Sequence, residues 1–178
     1  MNMNQFTQKS LEAIQAAQNI ATQYGNQQVE QPHLMLALVD QEGGFIPQLL
    51  THMGLTLESF RAAVRHEVEI LPKVSGSGRE AGKVYIAPGV DKALNQALAI
   101  AGSMKDEFVS VEHILLALMD TAEGSLKELF RTYGVDKEKV MQALAALRGS
   151  QRVTSDNPED TYEALKKYGS DLVERARQ

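Results

Sequence analysis

Four histidines, His33, His52, His66 and His113, are the side chains best suited to acid–base or metal chemistry in this sequence. A helical zinc site wants two histidines four residues apart, as in H-E-x-x-H. His66-Glu67-Val68-Glu69-Ile70 has the first half of that pattern and isoleucine where the second histidine belongs. Cysteine is absent, which removes thiolate ligands, cysteine nucleophiles and disulfides. A phosphate loop, G-x-x-x-x-G-K-[ST], lets backbone N–H groups wrap an anion. Gly82-Lys83 fails that pattern, with Ser77 in place of the first glycine and Val84 in place of the hydroxyl residue. Asp106, Glu107 and Glu112 gather at a junction between helices. They read either as a solvated turn, with Glu112 favourable near a helix N-terminus, or as the polar rim of a peptide-binding groove. His33 and His113 read as capping or packing residues, or as an acid–base pair for which no nucleophile recurs nearby. No metal, cofactor or catalytic group is expected in this chain.

The elements that must position these residues come in two copies. Shifted by 80 positions, residues 33–64 match 113–144 without a gap. Identities include His33/His113, Leu36/Leu116, Ala37/Ala117, Leu38/Leu118, Asp40/Asp120, Gly44/Gly124, Gly54/Gly134 and Glu58/Glu138. Upstream, Ala13/Ala93, Ala17/Ala97, Ile20/Ile100 and Ala21/Ala101 keep the register. Each copy reads as four helices. The first spans about Asn4 to Tyr24, or about Pro88 to Met104. In the latter, Val90, Ala93, Leu94, Ala97, Ala101 and Met104 form one apolar stripe, with Leu98 and Ile100 at its edges. The second helix starts near Pro32 or Val111, with Ser110 suited to an N-cap. The third lies between Gly44 and Gly54, or between Gly124 and Gly134. The fourth opens at Thr56 or Asp136. Strand signals are weak. Residues 72–89 read as a loop and 148–161 as a polar linker, followed by two short helical pieces.

The chain has 178 residues with a net charge of −5, from 18 Lys+Arg and 23 Asp+Glu. A nucleic-acid binder carries a basic footprint, and none is visible. No apolar run approaches the roughly 20 residues of a membrane span. The N-terminus lacks the apolar core of a signal peptide, so a cytoplasmic protein is expected.

The histidine-led helices P-H-L-M-L-A-L and E-H-I-L-L-A-L, each followed by a glycine, a short helix and a second glycine, resemble the tandem Clp repeat. That repeat forms the N-terminal domain of Clp-type AAA+ unfoldases. The tail R-V-T-S-D-N-P-E-D-T-Y-E-A-L-K-K-Y-G is similar to the junction that follows this domain in ClpB-type disaggregases. The resemblance implies an all-α fold of two pseudo-symmetric four-helix repeats. Repeat 1 would span about 3–71 and repeat 2 about 83–148, together one domain of residues 1–148. Residues 149–178 would be a partly helical linker toward a first AAA+ domain. The implied function is recognition of substrate for a hexameric, ATP- and Mg-dependent disaggregase that works with the DnaK system. This domain would bind exposed apolar segments weakly and hand them to the ring pore. The competing reading is an adaptor-docking domain of a ClpA- or ClpC-like protease partner. By resemblance, the substrate surface would use Phe6, Thr7, Asp106 and Glu112, with Ile100 and Met104 lining an apolar groove between the first and fifth helices. For Ile100 and Met104 a core role is the competing reading. His113 stands where the family often has a leucine-like residue, which makes the groove more polar.

Overall fold

The computed structural model describes residues 3–73, 84–149 and 151–158. Gly82, Lys83 and the helical pieces expected after 161 lie outside the described residues. Eight α-helices are described: α1 (Gln8–Gln23), α2 (Gln31–Asp40), α3 (Phe45–His52), α4 (Leu57–Glu69), α5 (Pro88–Ser103), α6 (Val111–Thr121), α7 (Gly124–Thr132) and α8 (Lys137–Arg148). The expected all-α architecture and helix order hold.

The first helix starts later than the periodicity predicts. Residues Met3–Gln5 form a 3-10 turn, and Thr7 is the N-cap, its side chain accepting from the Ser10 N–H at 3.2 Å. A threonine there satisfies a donor that the helix itself cannot. Ser10, Ala13, Ile14, Ala17 and Ala21 then form the buried stripe of α1. The small side chains allow close approach to α2.

α2 and α6 form the centre. Leu34 through Val39 are buried without interruption, as are Val111 through Leu118. A helix apolar on all sides must be enclosed on all sides. α1 packs against α2 and α5 against α6, while α2 touches α6 between the repeats. The later helices exchange partners, α3 lying against α8 and α4 against α7. At the second contact Phe60 and Tyr133 meet edge to face, with ring centroids 5.3 Å apart.

The ends of α3 and α7 behave as read. Gly54 and Gly134 adopt positive φ, 88° and 66°, which only glycine takes without a Cβ penalty. Asp136 caps α8 by accepting from the Lys139 N–H at 2.8 Å. Thr56 occupies the N-cap of α4 without a side-chain cap bond.

The loop expected over 72–89 does not run to its end. Tyr85–Ile86 is a short strand, β2, paired in parallel with β1 (Gln28–Val29). Ile86 faces Val29, and 80 positions earlier Phe6 faces Val109 in the same parallel sense. Thr7 N–H donates to the Val109 carbonyl at 2.9 Å, as Ala87 N–H donates to Val29 at 3.1 Å. Each repeat therefore launches its first helix from a pairing with the other repeat's inter-helix loop. Two residues per strand are too few to announce themselves as strands.

Phe6 is a fully buried anchor of this exchange, 2% exposed. Phe6→Ala removes about 3–5 kcal/mol of stability. Denaturant unfolding should show the midpoint fall with the slope unchanged.

Candidate functional site

The two equivalent histidines take equivalent places. Each is the third residue of its helix and completes a capping box. His33 Nδ1 accepts from the Glu30 N–H at 2.8 Å, and its Nε2–H donates to Asn26 Oδ1 at 2.9 Å. His113 Nδ1 accepts from the Ser110 N–H at 2.9 Å, and its Nε2–H donates to Asp106 Oδ2 at 2.7 Å. Both rings are fully buried. An Nδ1 lone pair is required in each, so both imidazoles carry their proton on Nε2. The pair is a capping device: Ser110 Oγ lies 3.1 Å from His113 Nδ1, but it is fully buried within the cap and closed to any substrate. Burial lowers the His33 pKa to about 4.

Asn26 and Asp106 are held by the same helix ending. After α1, Gly25 takes φ 74° and the Asn26 N–H returns to the Ala21 carbonyl at 2.8 Å. After α5, Lys105 takes φ 61° and the Asp106 N–H returns to Ala101 at 2.9 Å. This is a Schellman closure in both repeats. Lysine is an uncommon occupant of that backbone region.

The repeats diverge in what surrounds these clasps. Asp106 Oδ1 accepts from Arg148 Nη2 at 2.7 Å and from the Val153 N–H at 2.9 Å. Arg148 Nη1 lies 3.4 Å from Glu112 Oε2, an ion pair without a hydrogen bond to either Glu112 oxygen. The side chains of Asp106, Glu112 and Arg148 are 0–3% exposed. Burial alone would raise the Asp106 carboxyl. Hydrogen bonds from His113, Arg148 and the Val153 N–H, with the Arg148 charge, outweigh it and hold the group far below the ordinary carboxylate range. In the first repeat the corresponding positions are Asn26, Pro32 and Val68, an uncharged set.

The structure brings Phe6, Thr7, Asp106 and Glu112 into one neighbourhood through the Phe6–Val109 bridge and the clasp. It does so beneath the surface. Phe6, Thr7 and Glu112 are buried, and Asp106 is 8% exposed. The solvated-turn reading of Glu112 is overturned, because Arg148 draws it inward. Ile100 is also buried, while Met104, the C-cap of α5, and Phe108 are half-buried. Gln8, Lys105 and Glu107 are exposed.

Arg148 and Val153 were outside the sequence-based site. Both fall in the stretch 148–161 read as a polar linker. Residues 151–158 lie against the site as a strap. Glu107 N–H donates to the Val153 carbonyl at 2.7 Å, and Gln8 N–H donates to the Asp156 carbonyl at 2.8 Å. Among the described residues no group of three or more His, Asp or Glu is arranged to hold a metal, and no helix is long and apolar enough to cross a membrane.

This interleaved pair of histidine-clasped repeats has known counterparts. Residues 5–133 match the family described as the Clp repeat (R) N-terminal domain, and the chain belongs to that family. Beyond the repeats, it is similar over nearly its whole length to chaperone protein ClpB of Nitratidesulfovibrio vulgaris, at 46% identity over 178 residues, covering 99% of this chain and 21% of that protein. ClpB of Bacillus anthracis is 40% identical over 173 residues, covering 97% and 20%. The chain thus spans about a fifth of these relatives' length. The Hsp104 N-terminal domain from Candida albicans shares the fold, with a TM-score of 0.74 at 24% identity, covering 86% of this chain and 98% of that one.

Two tests address the clasps. His33 is neutral in the fold and ordinarily titrates near 6.5. Its contribution is complete above pH 6.5 and drains away as pH falls toward 4, on the order of 3 kcal/mol in all. Unfolding midpoints measured across that window should fall, and His33→Gln should flatten the slope. Lys105→Gly, which copies Gly25, should stabilise the domain by about 0.5–1 kcal/mol in denaturant unfolding.

Proposed function

We propose that this chain is the substrate-receiving domain of an ATP-driven protein disaggregase. The observation that carries this reading is the match to ClpB chaperones, which runs past the two repeats through the segment after α8. The chain binds exposed apolar segments of unfolded or aggregated polypeptides and passes them to an AAA+ ring of the parent protein. ATP and Mg are used in that ring and not here. A cytoplasmic homohexamer working with the DnaK system completes the proposal.

Half-buried Met104 and Phe108, with exposed Lys105 and Glu107 in the same turn after α5, support placing the receiving surface there. Phe6, Thr7, Ile100, Asp106 and Glu112 act from beneath it, by fixing the backbone that carries it. Burying one or two apolar side chains there yields roughly 1.5–3 kcal/mol each before the costs of association. Binding by one domain is therefore weak, and tethering several copies to one ring raises it through effective concentration. Weak contact also permits release toward a pore.

An amide NMR titration with a permanently unfolded polypeptide tests this. Fast-exchange shifts gathered at Gln8, Met104, Glu107 and Phe108, reduced by Met104→Ser, are expected. Absence of shifts at high polypeptide concentration would sink the reading.

A further inference from the structure

We infer that residues 151–156 of this chain are an internal competitor for the receiving surface, so that strap docking and substrate binding exclude one another. This rests on the substrate-receiving reading above.

The two repeats supply the argument. They share one scaffold, so features common to both serve the fold. The histidine clasp and the Schellman closure are common to both. The charged triad is not: Asp106, Glu112 and Arg148 stand where the first repeat has Asn26, Pro32 and Val68. Burying three charges is costly unless each gains a defined partner. In the first repeat the segment after α4 reaches the equivalent position as well, Asn26 Nδ2 donating to the Pro72 carbonyl, but it meets no charge there, whereas the strap meets two charged groups. Asp106 accepts the Val153 N–H, and Arg148 Nη2 donates to the Gln151 carbonyl at 3.0 Å. The triad is thus a seat for the chain segment that leaves α8.

The seat holds mostly backbone. Glu107 N–H donates to the Val153 carbonyl and Gln8 N–H to the Asp156 carbonyl. Gln8 opens α1, so its N–H has no partner within the helix. Its side-chain amide also donates to Asp156 Oδ2 at 3.2 Å. One apolar side chain is taken, Val153, which is fully buried. A donor on each side, a carboxylate acceptor and one apolar slot describe a site for an extended strand of little sequence preference. An unfolded polypeptide offers the same groups as the strap. Glu107, whose N–H binds the strap, lies in the same α5–α6 turn as Met104 and Phe108 of the proposed receiving surface.

Two variants of the full 178-residue chain test this, with reduced, carboxymethylated α-lactalbumin as the unfolded probe. Val153→Asp releases the strap. The pair Gln8→Cys with Asp156→Cys locks it; the native chain has no cysteine, so within one chain these thiols can pair only with each other, and the oxidised monomer is separated from cross-linked dimer before use. Hydrogen exchange at Glu107 and Val153 reports strap docking, independent of the probe. About tenfold tighter probe binding in Val153→Asp is expected if the open form is about a tenth of the population. Binding should be lost in the oxidised double variant and regained on reduction, which also controls for folding. Equal binding by the oxidised and reduced forms would overturn the competition while leaving the receiving function intact. Weaker binding by a folded Val153→Asp chain would overturn it too, by making the strap part of the surface. No probe binding by any form would overturn both readings.

Discussion

Everything in this domain depends on a crossed pairing only two residues deep. The strand ahead of each first helix lies against the loop of the opposite repeat, Phe6 on Val109 and Ile86 on Val29. The contact is small, but it decides where α1 and α5 begin and which layer they cover. It also makes the repeats mutually dependent, since the backbone entering each first helix is paired with the other repeat. The exchanged contacts of α3 with α8 and of α4 with α7 extend that dependence across the whole core. Such long-range pairing raises the contact order of an otherwise helical protein.

On this frame the two imidazoles do one job twice and lead to different neighbourhoods. Each stitches the start of a central helix to the residue that closes the helix before it. In the first repeat the stitch ends at an amide, Asn26, whose Nδ2 goes on to the Pro72 carbonyl at 2.9 Å. In the second it ends at a carboxylate, which must find further donors and finds them in Arg148 and the Val153 amide. One oxygen replacing one NH2 group thus recruits an arginine from α8, while the segment after the fourth helix meets the clasp in both repeats, by the Pro72 carbonyl in the first and the Val153 N–H in the second. The difference between Asn26 and Asp106 is where a symmetric scaffold acquires a directional, unsymmetric face.

Much of this was legible in the sequence. The gap-free match of residues 33–64 to 113–144 implied two copies of one unit, and the positions of Gly54, Gly134, Ser110 and Asp136 marked helix ends because their local chemistry is the same in any context. The burial of Asp106 and Glu112 was not legible. A carboxylate at a helix junction reads as solvated until its partner is known, and Arg148 is 42 residues from Asp106. The strap was hidden for a related reason. Its polar composition is that of a linker, while what holds it is mainly its backbone, which every sequence possesses. β2 was missed because two residues carry no period.

The order of the strap's attachments matters once force is considered. From α8 outward the chain meets Arg148 at Gln151, Asp106 and Glu107 at Val153, and Gln8 at Asp156. Tension applied from beyond Pro158 reaches these contacts in series, the outermost first, and never loads them together. Contacts that follow one another along the chain can be released one at a time. Each released contact lengthens the reach of the domain. The same segment is thus a restraint when slack and a spacer when drawn out.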